Sequence, residues 1–450
     1  MFFRKIESKG IAHFSYMIGD GKDLAVIDPV RDIGIYMQEA RKAGKRIKYI
    51  LETHRNEDYV SGSMELGEKT GATIYISAHE DLGYLYGQGI ENGFEIKIGD
   101  LTLRALHTPG HTLGHLSYAL YDKNQTSPYM VFTGDCLFMG DVGRTDFYGK
   151  ENLEKMTSLL YDSIFEKLLP LGDEVLMFPA HGAGSACGES MEDRPYSSLG
   201  YEKKYNRALQ VSTKKEFLEK FAKMRIKPRY FEEMEELNTK GAPFVGESTL
   251  LNVCSIEEIE HSKDCILIDI RSKEAYIGGH IPGSIYLTGS ILSTFLGALF
   301  KTDEKLLFLT DGNVAEVEAI YWQCRRIGFD NIQGFIPHAA AAWEASGKEL
   351  RRAATISAGD YQDGLRAEEF LLLDLRKEHE IKSGDPQKNK VHIPLQSLYE
   401  CYEKLERDTT IYVLCGTSER STTGYSYLKD KGYNPIIIAG GTDMLRALKK

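Results

Sequence analysis

Three short stretches carry side chains whose types and settings suit metal chemistry. The first is Thr53-His54-Arg55-Asn56-Glu57-Asp58-Tyr59, which follows the apolar run 47–51. That run reads as a buried strand, so His54 leaves a sheet at a strand end. His111 lies in Thr108-Pro109-Gly110-His111-Thr112, and Asp135 in Phe132-Thr133-Gly134-Asp135. Each sits beside Gly or Pro, where a chain turns sharply and can aim a side chain into a cleft. Two imidazoles and one carboxylate are the ligand set of a mononuclear non-haem Fe(II) site, one ion per chain, with positions left open for substrate and O2.

A second chemistry lies near the other end. Cys415-Gly416-Thr417-Ser418-Glu419-Arg420-Ser421 reads as a strand-to-helix loop, and this Cys-x-x-x-x-Arg pattern resembles the active loop of the rhodanese family. Backbone N–H groups of such a curled loop and of the following helix N-terminus point at the sulfur, where they hold a persulfide or an oxyanion. Gly416, Thr417, Ser418 and Glu419 are then the substrate-binding loop, Cys415 the sulfur carrier, and Arg420 an added fixed cation.

The first three stretches, in their order, resemble the metallo-β-lactamase fold. Hydrolases of that superfamily carry His-x-His-x-Asp-His and use its Asp-His pair, with a late His, for a second metal. Here Asn56 and Tyr59 replace the second and last histidines of that motif. What remains resembles the mononuclear iron set of the persulfide dioxygenases, as do Gly134-Asp135-Cys136-Leu137-Phe138 and Gly143-Arg144-Thr145-Asp146-Phe147. Within that motif Arg144 is expected to offer a bidentate fork to the anionic part of the substrate. His181, where a binuclear enzyme places its late ligand, is expected to be a polar wall of the pocket. His107 and His115 read as core or supporting groups, Asp28 as a buried aspartate near the cleft, and Cys187 as a packed small residue before a reactive thiol.

These stretches require elements to position them. Strand-like runs at 12–28, 73–77, 94–98, 101–107, 115–121, 129–134 and 174–178 alternate with helical patterns at 33–43, 58–70 and 151–168. Periodicity alone gives mixed α/β; the resemblance implies an αββα sandwich. Residues 200–240 are charged and helical, and Thr239-Lys240-Gly241-Ala242-Pro243 makes a linker.

From about 250 the chain repeats itself. Cys265-Ile266-Leu267-Ile268-Asp269-Ile270-Arg271 matches Phe370-Leu371-Leu372-Leu373-Asp374-Leu375-Arg376, and Asp374 follows Asp269, as Cys415 follows Thr310, by 105 positions. Alternating strands and helices argue for two tandem α/β domains with parallel sheets. The first copy has Thr310-Asp311-Gly312-Asn313 in place of the thiol loop, so it cannot carry sulfane sulfur and reads as a structural or docking domain. The expected organisation is 1–240, 250–350 and 355–450.

Composition narrows the classes. The 450 residues are 42% hydrophobic and 27% charged, with a formal net charge of −11 and no basic block interleaved with aromatics, against nucleic-acid binding. No apolar run approaches the roughly 18 residues of a spanning helix, and the N-terminus lacks the apolar core of a signal peptide. Seven scattered cysteines without a Cys-x-x-Cys pair fit reduced thiols in a cytoplasm.

As a whole the chain is similar to bacterial persulfide dioxygenase–rhodanese fusions of the CstB type. That resemblance implies O2-dependent oxidation of a low-molecular-weight persulfide to sulfite, then sulfane-sulfur transfer through Cys415 to give thiosulfate. Coenzyme A, glutathione, cysteine and bacillithiol persulfides are the candidate substrates, and relatives suggest a dimer or tetramer. A glyoxalase-II-like thioester hydrolase fused to sulfur carriers is the alternative; it would call for a metal-activated hydroxide.

Overall fold

Along Leu101–His107 the side chains of Leu101, Leu103 and Ala105 are buried, while Thr102, Arg104 and Leu106 are half-buried. A strand with one face on a core has this period of two. A computed structural model describes residues 1–449 apart from 124, 186, 189, 247–250, 262–263 and 365–369. Two compact units emerge: residues 1–248 with 325–328, and residues 249–324 with 329–450.

In the first unit, β1 (Phe2–Ser8), β2 (His13–Asp20), β3 (Asp23–Ile27), β4 (Arg46–Leu51), β5 (Thr73–Ser77) and β6 (Gln88–Ile90) form one sheet in that order. The second sheet runs β12 (Ser197–Ser198), β11 (Leu176–Pro179), β10 (Met130–Gly134), β9 (Leu116–Tyr121), β8 (Leu101–His107), β7 (Glu95–Ile98). The inner faces meet in one core, with Tyr16, Ile18, Ile27 and Leu51 against Leu103, Leu116, Tyr118 and Phe132. Helices α1 (Gly34–Lys42) and α2 (Ser63–Thr70) pack on β4. On the other outer face Val131 and Met177 are covered by Leu160 of α3 (Leu153–Asp162) and by Ile164, Leu168 and Phe217. This is the αββα sandwich that the resemblance implied. β1 and β6 escaped the sequence reading, one lacking clean alternation and the other being three residues long.

The helix expected over 151–168 is α3 followed by a π-helical turn, Ser163–Leu168. Ser163 Oγ donates to the carbonyl of Pro109 at 2.7 Å, in the loop that carries His111. Loops after β4, β8, β10 and β11 bring His54, His111, Asp135 and His181 together. Gly134 makes one of these turns at φ +53, where a Cβ would run into the His115 ring and Thr53.

The second unit holds both repeats. β13 (Cys265–Asp269), β14 (Ile285–Tyr286), β15 (Lys305–Leu309) and β16 (Ile332–Ile336) form a parallel sheet in the order β14-β13-β15-β16. β17 (Thr355–Ile356), β18 (Phe370–Asp374), β19 (Lys390–His392), β20 (Thr410–Leu414) and β21 (Asn434–Ile438) form another, in the order β17-β21-β20-β18-β19. All its strand pairs are parallel, as alternating strands and helices require. Among the described residues no helix is long and apolar enough to cross a membrane.

Candidate functional site

One atom each from His54, His111 and Asp135 falls within a sphere where all lie within 4.8 Å of one another, and all three residues are buried. His111 Nδ1 donates to the Arg144 carbonyl at 2.9 Å, because a carbonyl can only accept. This fixes the tautomer and leaves the Nε2 lone pair facing the cluster. The Thr53 hydroxyl donates to Asp28 Oδ2 at 2.8 Å and so accepts from His54 Nδ1, also at 2.8 Å. Asp28 further receives the Thr53 N–H at 2.7 Å, so this buried aspartate orients His54 through its neighbour. The Asp135 N–H donates to His115 Nε2 at 3.0 Å, and His115 Nδ1 meets Thr108 Oγ1 at 2.8 Å. Asp28 and His115 thus support the ligands from behind.

The donor atoms fit a divalent ion. His111 Nε2 and Asp135 Oδ2 are buried and have no hydrogen-bond partner among the described residues. Burial holds the His54 imidazole well below its usual pKa, the neutral form a metal takes. Burial opposes ionisation of Asp135, but His181, His111 and His54 together hold its carboxyl well below the usual range. A crevice lined by Arg55, Ser77, Glu80, Leu82 and Tyr84 reaches His54.

The place of a second metal is filled differently. His181 is expected on sequence to be a polar wall; its Nδ1 donates to Asp135 Oδ1 at 2.7 Å and its Nε2 faces Asp58 Oδ2 at 3.0 Å. Burial disfavours the imidazolium, yet the two carboxylates raise it well above the ordinary histidine value. The two carboxylates therefore favour the protonated ring. Tyr59 is buried with its ring 4.2 Å from His13, and Asn56 is buried with its side-chain amide donating to the His54 carbonyl at 3.3 Å. Cys187 Sγ joins Asp58 and His181 in a second group of potential donors. Burial and the nearby carboxylates push the pKa of that thiol well above its ordinary value.

Arg144 differs from its expected role. Its side chain is buried, and its fork already grips Asp146, Nε to Oδ1 at 2.7 Å and Nη2 to Oδ2 at 2.9 Å. The guanidinium also stacks 4.8 Å from the Phe147 ring. These contacts hold the 143–147 loop, whose carbonyl orients His111; the cation at the crevice is Arg55. Glu57, unmarked on sequence, turns inward among the ligands: its Oε2 lies 3.5 Å from His111 Nε2. Only its neighbours in the motif could have drawn notice to it.

In the second unit, Cys415 follows β20 directly and is buried, and its sulfur receives the Ser421 N–H at 3.4 Å. Ser418 turns the loop at φ +74, its hydroxyl bonded to the Ile438 carbonyl at 3.0 Å. The helix Glu419–Asp430 starts there. Thr442 and Asp443 N–H groups clamp the carbonyls of Cys415 and Gly416 at 2.9 and 3.1 Å. A Cβ on Gly441 would strike both carbonyls, so only glycine lets that segment approach. Arg420 is not a free cation: Glu380 takes its fork at 2.6 and 2.7 Å. Burial raises the Glu380 carboxyl, but Arg420 and the Lys377 N–H win and hold it at about 2.

The Glu419 side chain turns away from the sulfur. It accepts from Tyr286 Oη at 2.5 Å and Thr288 Oγ1 at 3.0 Å, both in the first repeat. Lys273 Nζ donates to the Thr417 carbonyl at 3.2 Å, and Tyr276, Tyr286 and Tyr425 pack in one apolar cluster. The copy whose loop has Thr310 in place of the cysteine therefore braces the loop that carries Cys415. Its own Thr310 side chain accepts the Gly312 N–H at 3.0 Å.

Comparison with known proteins agrees with this architecture. Residues 9–181 match the metallo-beta-lactamase superfamily, and residues 255–345 and 357–446 each match the rhodanese-like domain. The chain belongs to the metallo-β-lactamase superfamily and carries two rhodanese-like domains, consistent with a persulfide dioxygenase–rhodanese fusion. It is 30% identical to the hydroxyacylglutathione hydrolase GloC of Haemophilus influenzae, over 39% of this chain and 88% of that one. It is 32% identical to the mitochondrial persulfide dioxygenase ETHE1 of Homo sapiens, over 37% of this chain and 63% of that one. A crystal structure of a metallo-beta-lactamase from Staphylococcus aureus superposes with a TM-score of 0.67 at 30% identity, covering 75% of this chain and 99% of that one.

Proposed function

We propose that the protein oxidises a low-molecular-weight persulfide with O2 to sulfite at one ferrous ion, and moves sulfane sulfur through Cys415 to give thiosulfate. The observation that carries the first half is the set of ligand atoms on His111 and Asp135 without a hydrogen-bond partner among the described residues, beside His54, with Asn56 and Tyr59 in place of two histidines of the binuclear motif. A ferrous ion held by His54, His111 and Asp135 would supply O2 activation and a binding position for the persulfide sulfur.

The balance is RSSH + O2 + H2O giving RSH, sulfite and two protons. The residues of this chain orient and insulate that reaction. Arg144 and Thr53 hold the two imidazoles, and His181 supports Asp135. Arg55, which lines the crevice with its Nη2 3.5 Å from Glu57 and from Glu235, is the cation nearest an incoming anionic thiol carrier such as coenzyme A, glutathione, cysteine or bacillithiol. For the second step the Cys415 thiolate attacks RSSH, forming Cys–SS⁻ and releasing RSH; sulfite then takes the outer sulfur as thiosulfate and restores the thiolate. The Ser421 N–H beside the sulfur favours both anionic forms.

The similarity to a hydroxyacylglutathione hydrolase keeps a second reading in play, thioester hydrolysis. One experiment separates them: metal content, O2 uptake with a panel of persulfides, and hydrolysis of acylated thiols. The proposal expects one iron per chain and persulfide-dependent O2 uptake, both abolished in His111→Ala. Two zinc-like ions with hydrolysis and no O2 uptake would replace it.

A further inference from the structure

Glu57 has no task in the ligand triad, yet it is buried among it. Neither carboxylate oxygen accepts a hydrogen bond among the described residues. Its Oε2 lies 3.5 Å from His111 Nε2 and 3.8 Å from His54 Nε2. Asp135 Oδ2 stands in nearly the same relation to the same two nitrogens, at 3.4 and 3.9 Å. Two donors that share an ion at about 2.1 Å, at angles near 90–110°, are about 3.0–3.4 Å apart. Glu57 Oε2 therefore stands as close to the two imidazole nitrogens as Asp135 Oδ2 does, within reach of one ion after small side-chain shifts. Arg55 Nη2 is 3.5 Å away and approaches the other oxygen, Oε1. A carboxylate taken out of water without donors is strongly unfavourable unless a cation meets it.

We propose that Glu57 is a fourth protein ligand, making a two-histidine, two-carboxylate site. The proposal rests on the one-ion reading above and extends it. Two carboxylates neutralise a divalent cation, and a six-coordinate ferrous site then keeps two open positions instead of three. Those two suffice for a persulfide sulfur and O2, with no position left for water.

The test uses the full-length protein, reconstituted with Fe(II) without oxygen, as wild type, Glu57→Gln, Glu57→Ala and His111→Ala. Fe(II) affinity is read by chelator competition. Bound water is counted from the broadening of the nitric oxide adduct's paramagnetic resonance in ¹⁷O-enriched water. Glu57→Ala should weaken Fe(II) binding at least tenfold to a hundredfold, the scale set by losses around metal ligands, and should admit one further water. Glu57→Gln keeps the volume and a weaker oxygen donor, so it should fall between, and it carries the test should Glu57→Ala not fold. Unchanged affinity and water count in both variants would overturn the proposal and leave the three-ligand site standing. Two ions per chain in the wild type, or iron retained in His111→Ala, would instead overturn the one-ion reading itself.

Discussion

Replacing Gly143 by alanine adds a single methyl group at the point where two ligand loops touch. The backbone at Gly143 is not left-handed, so the substitution tests space alone. A Cβ built there falls well inside contact distance of the Asp135 carbonyl oxygen and 3.3 Å from His111 Nδ1. To restore ordinary contact the Asp135 backbone must retreat by about 1.5 Å, and displacements of even 1 Å or so at a functional group are costly. Overpacking of this kind costs about 1–3 kcal/mol. If the protein relieves the strain by moving Asp135, the same free energy reappears as about tenfold to a hundredfold weaker metal binding. Chelator competition and iron content would measure it, with sulfur transfer through Cys415, in the other unit, as the internal control. Gly143→Ala should lose iron and O2 uptake while that transfer continues. Full iron at wild-type affinity, with an unchanged melting temperature, would refute the packing argument.

Other expectations address the second chemistry. Cys415→Ser keeps the loop but cannot form a persulfide, so O2 uptake should persist while the product changes from thiosulfate to sulfite; chromatography of the products, corrected for the uncatalysed reaction of sulfite with persulfide, decides it. Tyr286→Phe removes a bond to the Glu419 carboxylate, about 1.5–3 kcal/mol for a charged partner, and should slow sulfur transfer without altering O2 uptake; equal transfer rates in variant and wild type would end the bracing argument. Glu380 is depressed from 4.5 to about 2 in the folded chain. Its contribution to stability is therefore complete above about pH 4.5 and fades as pH falls towards 2. Denaturation curves of wild type and Glu380→Gln should converge over that window, and parallel curves would show that Arg420 gains nothing from the pair.

Much of the site was legible because its residues are marked locally. His54, His111 and Asp135 each sit next to a strand end and a turn residue, and the 105-residue spacing that aligns Asp269 with Asp374 also places Cys415 opposite Thr310. Those features are written into short segments, where periodicity and turn chemistry act within a few residues. The pairing of side chains is a different matter. Glu380 reaches Arg420 across 40 positions and Tyr286 reaches Glu419 across 133, and no local pattern specifies such partners. Arg144 and Asp146 are two apart, but whether that fork faces a ligand or its own loop depends on burial.

The sequence alone therefore marked the candidate ligand and nucleophile residues, by their types at strand ends, and the doubled domain. Only the tertiary structure decided how those groups are held. Packing the two sheets buried Glu57 rather than Arg55 against the imidazoles, set His181 between the carboxylates of Asp58 and Asp135, and turned Glu419 to the neighbouring repeat. The reason is physical: a turn residue sets where a side chain leaves the backbone, whereas its charge state and partner depend on the water that the rest of the fold excludes.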